Sequence, residues 1–155
     1  MRRTAVPRAA AIAGALSLLG CTDALAPRHL DLSFDLVSVD GRPVPRLVQV
    51  VPPCLVTVGG GSLELNPDGS FALEVGRYQE CDFSTGLGGI AYRIRYRYLG
   101  AHNLRGDVLT LTVIPVRDPT YNLVTLYSGD SIVVELSPRM NLEVGAVNLT
   151  YRLRR

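Results

Sequence analysis

Several residue types are scarce or missing in this chain of 155 residues. It has no tryptophan, every basic residue is arginine, and it contains only two histidines and three cysteines. His29 precedes the first predicted strand, and His102 lies in a Gly-Ala-His-Asn segment that we predict to be a turn. No Gly-x-Ser-x-Gly motif and no histidine cluster at metal-ligand spacing occurs in the sequence. We therefore expect no enzyme activity, no metal site and no cofactor.

A long hydrophobic run is also missing. The longest, from Ala9 to Leu19, has eleven residues, whereas a helix that spans a bilayer needs about 20 apolar residues. Arg2, Arg3 and Arg8 precede this stretch. A basic segment followed by a short apolar segment is typical of a cleaved signal peptide.

The residues that close this segment, Leu18-Leu19-Gly20-Cys21, resemble the lipobox of bacterial lipoproteins. The resemblance implies a signal peptide over residues 1–20, acyl chains (such as palmitate) on Cys21, and a lipidated tether over residues 21–29. Thr22 replaces the Asp that retains such proteins in the inner membrane, so the resemblance favours the outer membrane of a bacterial cell envelope. The alternative is ordinary secretory cleavage after Ala24-Leu25-Ala26, which the following Pro27 disfavours.

Cleavage before Cys21 changes the net charge. Sixteen arginines fall to thirteen, against fourteen acidic residues, so the formal charge of the mature chain is −1. A nearly neutral chain has no global electrostatic attraction for nucleic acid. The expected partners are the membrane, through the anchor, and a ligand or another envelope protein.

Two cysteines remain once Cys21 is assigned to the lipid. Cys54 and Cys81 would then lie in an oxidising compartment, where disulfides persist. A metal or redox pair is the alternative, but the C-x-x-C spacing and a neighbouring histidine are both missing. We therefore predict a structural disulfide between Cys54 and Cys81.

Alternating apolar and polar residues dominate the rest of the chain, as in Leu30, Leu32, Phe34 and Leu36. Period-two alternation indicates half-buried strands, and Asn66-Pro67-Asp68-Gly69 is a strong hairpin signal. We predict an all-β domain over residues 30–155, an antiparallel up-and-down barrel of about 8–10 strands, with a β-sandwich as the alternative. The strand layout resembles lipocalin-like domains of small bacterial lipoproteins.

The strand from Tyr92 to Tyr98 interleaves two residue types. Alternation places Tyr92, Tyr96 and Tyr98 on one face and, on the other face, the three arginines Arg93, Arg95 and Arg97. An inward tyrosine row could line a pocket for a small apolar ligand. An outward arginine row could bind anionic lipid or another envelope protein, or be a solvated face paired with acidic residues.

These patterns predict a membrane-anchored envelope lipoprotein with a non-catalytic binding role. In one hypothesis, a small apolar ligand enters the barrel past the tyrosines. In the alternative hypothesis, the barrel has a solid core, and its outer face binds another envelope protein or lipid headgroups.

Overall fold

A computed structural model describes residues 27–82, 89–114, 120–136 and 146–155. The predicted signal peptide over residues 1–20, the predicted lipidation site Cys21 and residues 22–26 of the predicted tether lie outside the described residues. Within the described part of the chain, the protein forms ten strands and no helix: β1 (Leu32–Val39), β2 (Arg42–Pro43), β3 (Arg46–Val51), β4 (Cys54–Leu65), β5 (Ser70–Cys81), β6 (Ile90–Arg105), β7 (Val108–Val113), β8 (Tyr121–Leu126), β9 (Ser131–Leu136) and β10 (Val147–Leu153).

The strands pair in the order β8-β7-β6-β5-β4-β1-β10-β9, and every pairing is antiparallel. Apart from β2 and β3, the strands follow each other around the barrel axis in chain order, and β1 lies between β4 and the last strand, β10. This arrangement confirms the predicted all-β, up-and-down antiparallel barrel. The short strands β2 and β3 pair with β1 and β4 outside this path.

The barrel is nearly closed where β8 meets β9. Tyr127 and Ile132 form an isolated bridge there, and the Thr125 hydroxyl donates a hydrogen bond to the carbonyl oxygen of Val133. These contacts bring together the two ends of the sheet.

In each strand, every second side chain points into the barrel, where large apolar residues fill the interior. Phe34, Leu63, Leu73 and Tyr98 form one cross-strand row from β1 to β6. The largest fully buried side chains are Tyr151, Phe34, Phe71, Leu63, Leu65, Leu73, Leu109, Leu111, Ile132, Leu136 and Leu149. Burial of each side chain of this kind contributes about 1.5–3 kcal/mol relative to exposure.

Strands β4, β5 and β6 are longer than their neighbours, with 12, 12 and 16 residues. Within the described residues, β7 pairs with β6 only from Gly100 to Arg105, and β3 pairs with β4 from Cys54 to Val58. A four-stranded sheet of β3, β4, β5 and β6, here called the extension, therefore continues past the point where β1 stops pairing with β4 and β7 stops pairing with β6. The Cys54–Cys81 disulfide joins β4 to β5 at its end, as predicted.

The predicted turn around His102 is wrong, because β6 runs through it to Arg105. Gly100 interrupts the alternation of large residues for a steric reason. A Cβ added at Gly100 would lie 1.9 Å from the carbonyl oxygen of Thr112 on β7. The glycine therefore permits a close approach of two strands and does not mark a turn.

Candidate functional site

The tyrosines of the interleaved strand lie on the inner face of β6. Tyr96 and Tyr98 are half-buried and pack against the core, opposite Val75 and Leu73. Tyr92 lies on the extension, where it is 49% exposed. Two of the three tyrosines thus belong to the packed interior, and the third faces solvent.

A charged residue that the sequence reasoning missed lies among these inner positions. Arg77 on β5 is only 2% exposed. Its Nη1 atom donates a hydrogen bond of 3.1 Å to the Tyr96 hydroxyl, and its Nη2 atom donates one of 2.6 Å to Gln79 Oε1. Strand alternation from Leu73 through Val75 predicts that residue 77 also lies on the inner face, so the sequence did contain a signal for the burial of Arg77. The Tyr96 hydroxyl therefore has a hydrogen-bond partner on the inner face, where its ring packs against the core.

The arginines of the same strand lie on the outer face. The Nε atom of Arg97 lies 3.3 Å from a Glu74 carboxylate oxygen, and Arg95 Nη1 lies 3.9 Å from the other. The Arg93 guanidinium lies 5.3 Å from the centre of the Tyr78 ring, which is a cation–π geometry. Both arginines that contact Glu74 remain mostly exposed, with side chains 60% and 64% accessible.

Beside these arginines, the sheet is interrupted at the triple glycine of β4. Strand β1 pairs with β4 from Ser62 to Leu65, and β3 pairs with it from Cys54 to Val58. Within the described residues, Gly59–Gly61 therefore have a strand neighbour only on the β5 side. The pairing with β5 also shifts register between Val58 and Gly60, so the ladder is irregular at these glycines.

Two of these glycines are required by close contacts. A Cβ at Gly61 would lie 2.2 Å from the Glu74 carbonyl oxygen, and a Cβ at Gly59 would lie 2.0 Å from the Tyr78 ring. Gly76 stands opposite Gly60 on β5. The outer surface consequently has backbone, without side chains, at the centre of this region.

The interruption forms a cleft of about 250 Å³ on the outside of the barrel, which we call the outer cleft. Its lining comprises Asp35, Gly59, Gly60, Gly61, Ser62, Glu74, Gly76, Tyr78, Arg93, Arg95 and Arg154. Drug-sized ligands occupy pockets of about 300–1,000 Å³. The outer cleft therefore suits a small polar group better than a bulky apolar molecule.

At the β1 side of the outer cleft, Arg154 binds Asp35. Its Nε atom donates hydrogen bonds of 3.2 Å to both carboxylate oxygens, and its Nη2 atom also donates to Oδ1. The hydrogen bond from Arg154 is the main cause that lowers the pKa of the Asp35 carboxyl, so Asp35 is ionised at neutral pH.

The charges around the outer cleft do not cancel. Three arginines, Arg93, Arg95 and Arg154, line it with two carboxylates, those of Asp35 and Glu74. Outside the lining, Arg97 adds a positive charge at Glu74, and Glu64 adds a negative charge that acts on Arg154. Planar guanidinium groups match the oxygens of phosphate and carboxylate, so this arrangement can recognise an anion.

Other kinds of site have less support in the described part of the chain. No group of three or more His, Cys, Asp or Glu residues is placed there to hold a metal ion. The same residues contain no helix that is long and apolar enough to cross a membrane.

Comparison of this chain with models of known protein families, with curated proteins and with solved structures finds no match.

Proposed function

We propose that this protein is a lipid-anchored lipoprotein of the bacterial envelope whose barrel is a non-catalytic binding module. The anchor is acylated Cys21, and the Thr22 that follows it favours the outer membrane. The nearly closed up-and-down barrel supports a lipocalin-like architecture for the domain. The proposed binding surface is the outside of the barrel, at the outer cleft.

One observation carries the choice of the outer surface. The inner positions of the barrel are occupied by fully buried aromatic and leucine side chains, among them Tyr151, Phe34 and Phe71. An eight-stranded barrel is at the limit between a filled interior and one that holds a small ligand. Bulky side chains of this kind favour the filled interior, so we assign the binding role to the outer face.

The proposed ligand is the phosphate of an anionic lipid headgroup. The outer cleft has one more positive than negative charge in its lining, and its glycine floor lets a ligand approach the backbone. Each Lys or Arg near an anionic membrane surface contributes about 1 kcal/mol to binding. A lipid anchor on Cys21 would also keep the barrel beside a membrane, which raises the local concentration of headgroups.

A vesicle assay tests this proposal with the chain from residue 21 onward, carrying Cys21→Ser so that no anchor forms. Binding to phosphatidylglycerol vesicles is measured against phosphatidylcholine vesicles by co-sedimentation. The double variant Arg93→Gln/Arg95→Gln is expected to bind about 30-fold more weakly, since two arginines contribute about 2 kcal/mol.

The matched control is Arg42→Gln/Arg105→Gln, which removes the same charge from two exposed positions outside the outer cleft. We expect it to weaken binding less than about threefold at physiological ionic strength, where distant charges are screened. Equal losses in the two double variants would contradict a specific site. Equal binding to both kinds of vesicle would contradict the choice of ligand and leave an envelope protein as the candidate partner.

The alternative ligand, a small apolar molecule at the barrel mouth, is favoured by one observation. Tyr92 and Ile94 present apolar side chains on the inner face of the extension, and both are exposed. Native mass spectrometry of the same Cys21→Ser chain tests this alternative. A mass excess lost on denaturation would support it, and a bare mass would count against it.

A further inference from the structure

The chain that precedes β1 is bound to one end of the barrel. The Arg28 backbone N–H donates a 3.0 Å hydrogen bond to the carbonyl oxygen of Leu104, and the Leu104 N–H donates one of 3.1 Å to the Arg28 carbonyl oxygen. We call residues 27–31 the strap. It connects the barrel to the segment that carries Cys21.

A buried histidine holds the next residue of the strap. His102 is 2% exposed, and its Nε2 atom accepts a 2.8 Å hydrogen bond from the Leu30 backbone N–H. Its Nδ1 atom lies 3.0 Å from the carbonyl oxygen of Ser70. An N–H can only donate and a carbonyl oxygen can only accept. The ring is therefore neutral, with its hydrogen on Nδ1.

Besides Ser70 on β5, polar groups near this ring come from the strap and from the β4–β5 turn. On the strap, the His29 ring stands edge-on to His102 at 5.6 Å between centroids. On the β4–β5 turn, Asp68 interacts electrostatically with His102, and the carbonyl oxygen of Gly69 accepts the His102 backbone N–H at 2.7 Å. On β7, the residue paired with His102 is the uncharged Leu111.

The strap also fits closely against that turn. A Cβ added at Gly69 would lie 2.7 Å from the His29 ring, so the glycine leaves room for the histidine. Gly69 has a φ of +85°, as the turn requires. The strap is thus docked by two backbone hydrogen bonds, one bond to His102, one ring contact and the partly buried Leu30 side chain, which packs against the core.

We propose that His102 is a pH-sensitive latch, which binds the strap to the barrel when neutral and releases it when protonated. Protonation places a hydrogen on Nε2, directly opposite the Leu30 N–H, so two donors face each other and the hydrogen bond is lost. The charge would also be buried in the docked state. Release of the strap removes both the opposition of the two donors and the burial of the charge, because the ring then reaches water.

The pKa of His102 agrees in direction with this mechanism. Burial lowers it below its usual value of 6.5, His29 lowers it further, and the Ser70 hydrogen bond and Asp68 partly oppose the shift. The docked state therefore binds fewer protons than the released state. Docking has its full strength above a pH of about 6.5 and weakens as the pH falls below that value.

Release would change the reach of the protein from the membrane. This consequence, unlike the latch itself, depends on the proposed anchor at Cys21. Release would add the strap residues 27–31 to the free chain between Cys21 and the barrel, and at about 3.3–3.6 Å per residue these five residues lengthen it by up to about 18 Å. Acidification would then let the barrel move farther from the lipid surface.

Nuclear magnetic resonance of the isotopically labelled Cys21→Ser chain tests the latch between pH 7.5 and pH 4.5. The side-chain ¹⁵N shifts report the protonation of His102, and amide exchange reports the docking of Arg28 and Leu30. We expect protection of the Leu30 amide, corrected for the intrinsic exchange rate, to fall at least about tenfold as His102 titrates. Core amides such as that of Leu73 should keep their protection.

The control variant is His29→Gln, which removes the other histidine of the contact. It should retain the transition at Leu30, because the proposed titrating group remains. Three results would overturn the latch: Leu30 stays protected after His102 is protonated, Leu30 loses protection while His102 stays neutral, or all core amides lose protection together. None of these results bears on anion binding at the outer cleft, which the vesicle assay tests separately.

Discussion

Substitution of one buried leucine distinguishes a filled barrel from a hollow one. Leu73 on β5 is 0% exposed and lies between Leu63 and Tyr98 in the cross-strand row. Leu73→Ala removes three carbon atoms, whose transfer contributes about 2.4 kcal/mol at about 0.8 kcal/mol for each carbon. Both neighbouring strands are hydrogen-bonded to β5, so the site cannot collapse and a cavity remains. We expect a total loss of about 3–5 kcal/mol in the free energy of unfolding.

Leu99→Ala is the matched control for this prediction. Leu99 lies on the neighbouring strand, pairs with Ala72 and is 49% exposed on the outer face. The same three carbon atoms are removed, but no closed cavity forms, so we expect a loss below about 1 kcal/mol.

Urea unfolding of the Cys21→Ser chain, followed by circular dichroism, measures both variants. If Leu73 lined a space filled with water, its truncation would leave no new cavity. A loss for Leu73→Ala within about 0.5 kcal/mol of the loss for Leu99→Ala would therefore refute the filled interior.

Three further predictions follow from the fold and the outer cleft. Replacing Cys54 and Cys81, 27 residues apart, with alanine should lower the free energy of unfolding by about 3.5 kcal/mol in urea titrations. Gly61→Ala should lower it by about 1–3 kcal/mol, since the new Cβ would meet a β5 carbonyl oxygen at 2.2 Å. Asp35 has a lowered pKa because Arg154 binds it. Its contribution to stability is therefore complete above the usual carboxyl pKa of 3.8 and is lost as the pH falls below it, and it is small because both side chains are exposed. Urea titrations of wild type and Asp35→Asn should differ at pH 6 and converge near pH 2.

Much of the architecture was predictable because strand alternation and turn chemistry are local signals. The Asn66-Pro67-Asp68-Gly69 segment makes the β4–β5 turn, with Gly69 at positive φ and the Asp68 carboxylate accepting the Ser70 N–H at 2.8 Å. The Cys54–Cys81 pairing also followed from the count of cysteines and is confirmed.

The outer cleft could not be predicted, because it depends on which strands pair and where they stop. Glycines within a strand are typical of a bulge or a close backbone approach. No local feature indicated that β1 and β3 would both pair with β4 and leave Gly59–Gly61 between them. Alternation assigns a residue to a face of its own strand, but it does not identify the residue on the next strand. The sequence patterns therefore could not place Arg154 and the three glycines in the lining of one cleft.

The buried polar residues were missed for a different reason. Arg77 and His102 both occupy positions of their strands that point inward, but a charged or titratable side chain argues against burial unless its partners are known. Those partners, such as Tyr96 for Arg77 and the Leu30 N–H for His102, come from other elements of the fold.

The most direct test of the central claim is to map where an anionic headgroup binds. We would titrate the ¹⁵N-labelled Cys21→Ser chain with a short-chain phosphatidylglycerol below its micelle concentration and follow the backbone amide shifts. The outer cleft predicts saturable amide shifts at Gly59, Gly60, Gly61 and Gly76 and, in protein also labelled with ¹³C, unchanged ring signals of the inner-face tyrosines Tyr96 and Tyr98. Shifts confined to those rings, or no saturable shifts at the glycines, would contradict the account.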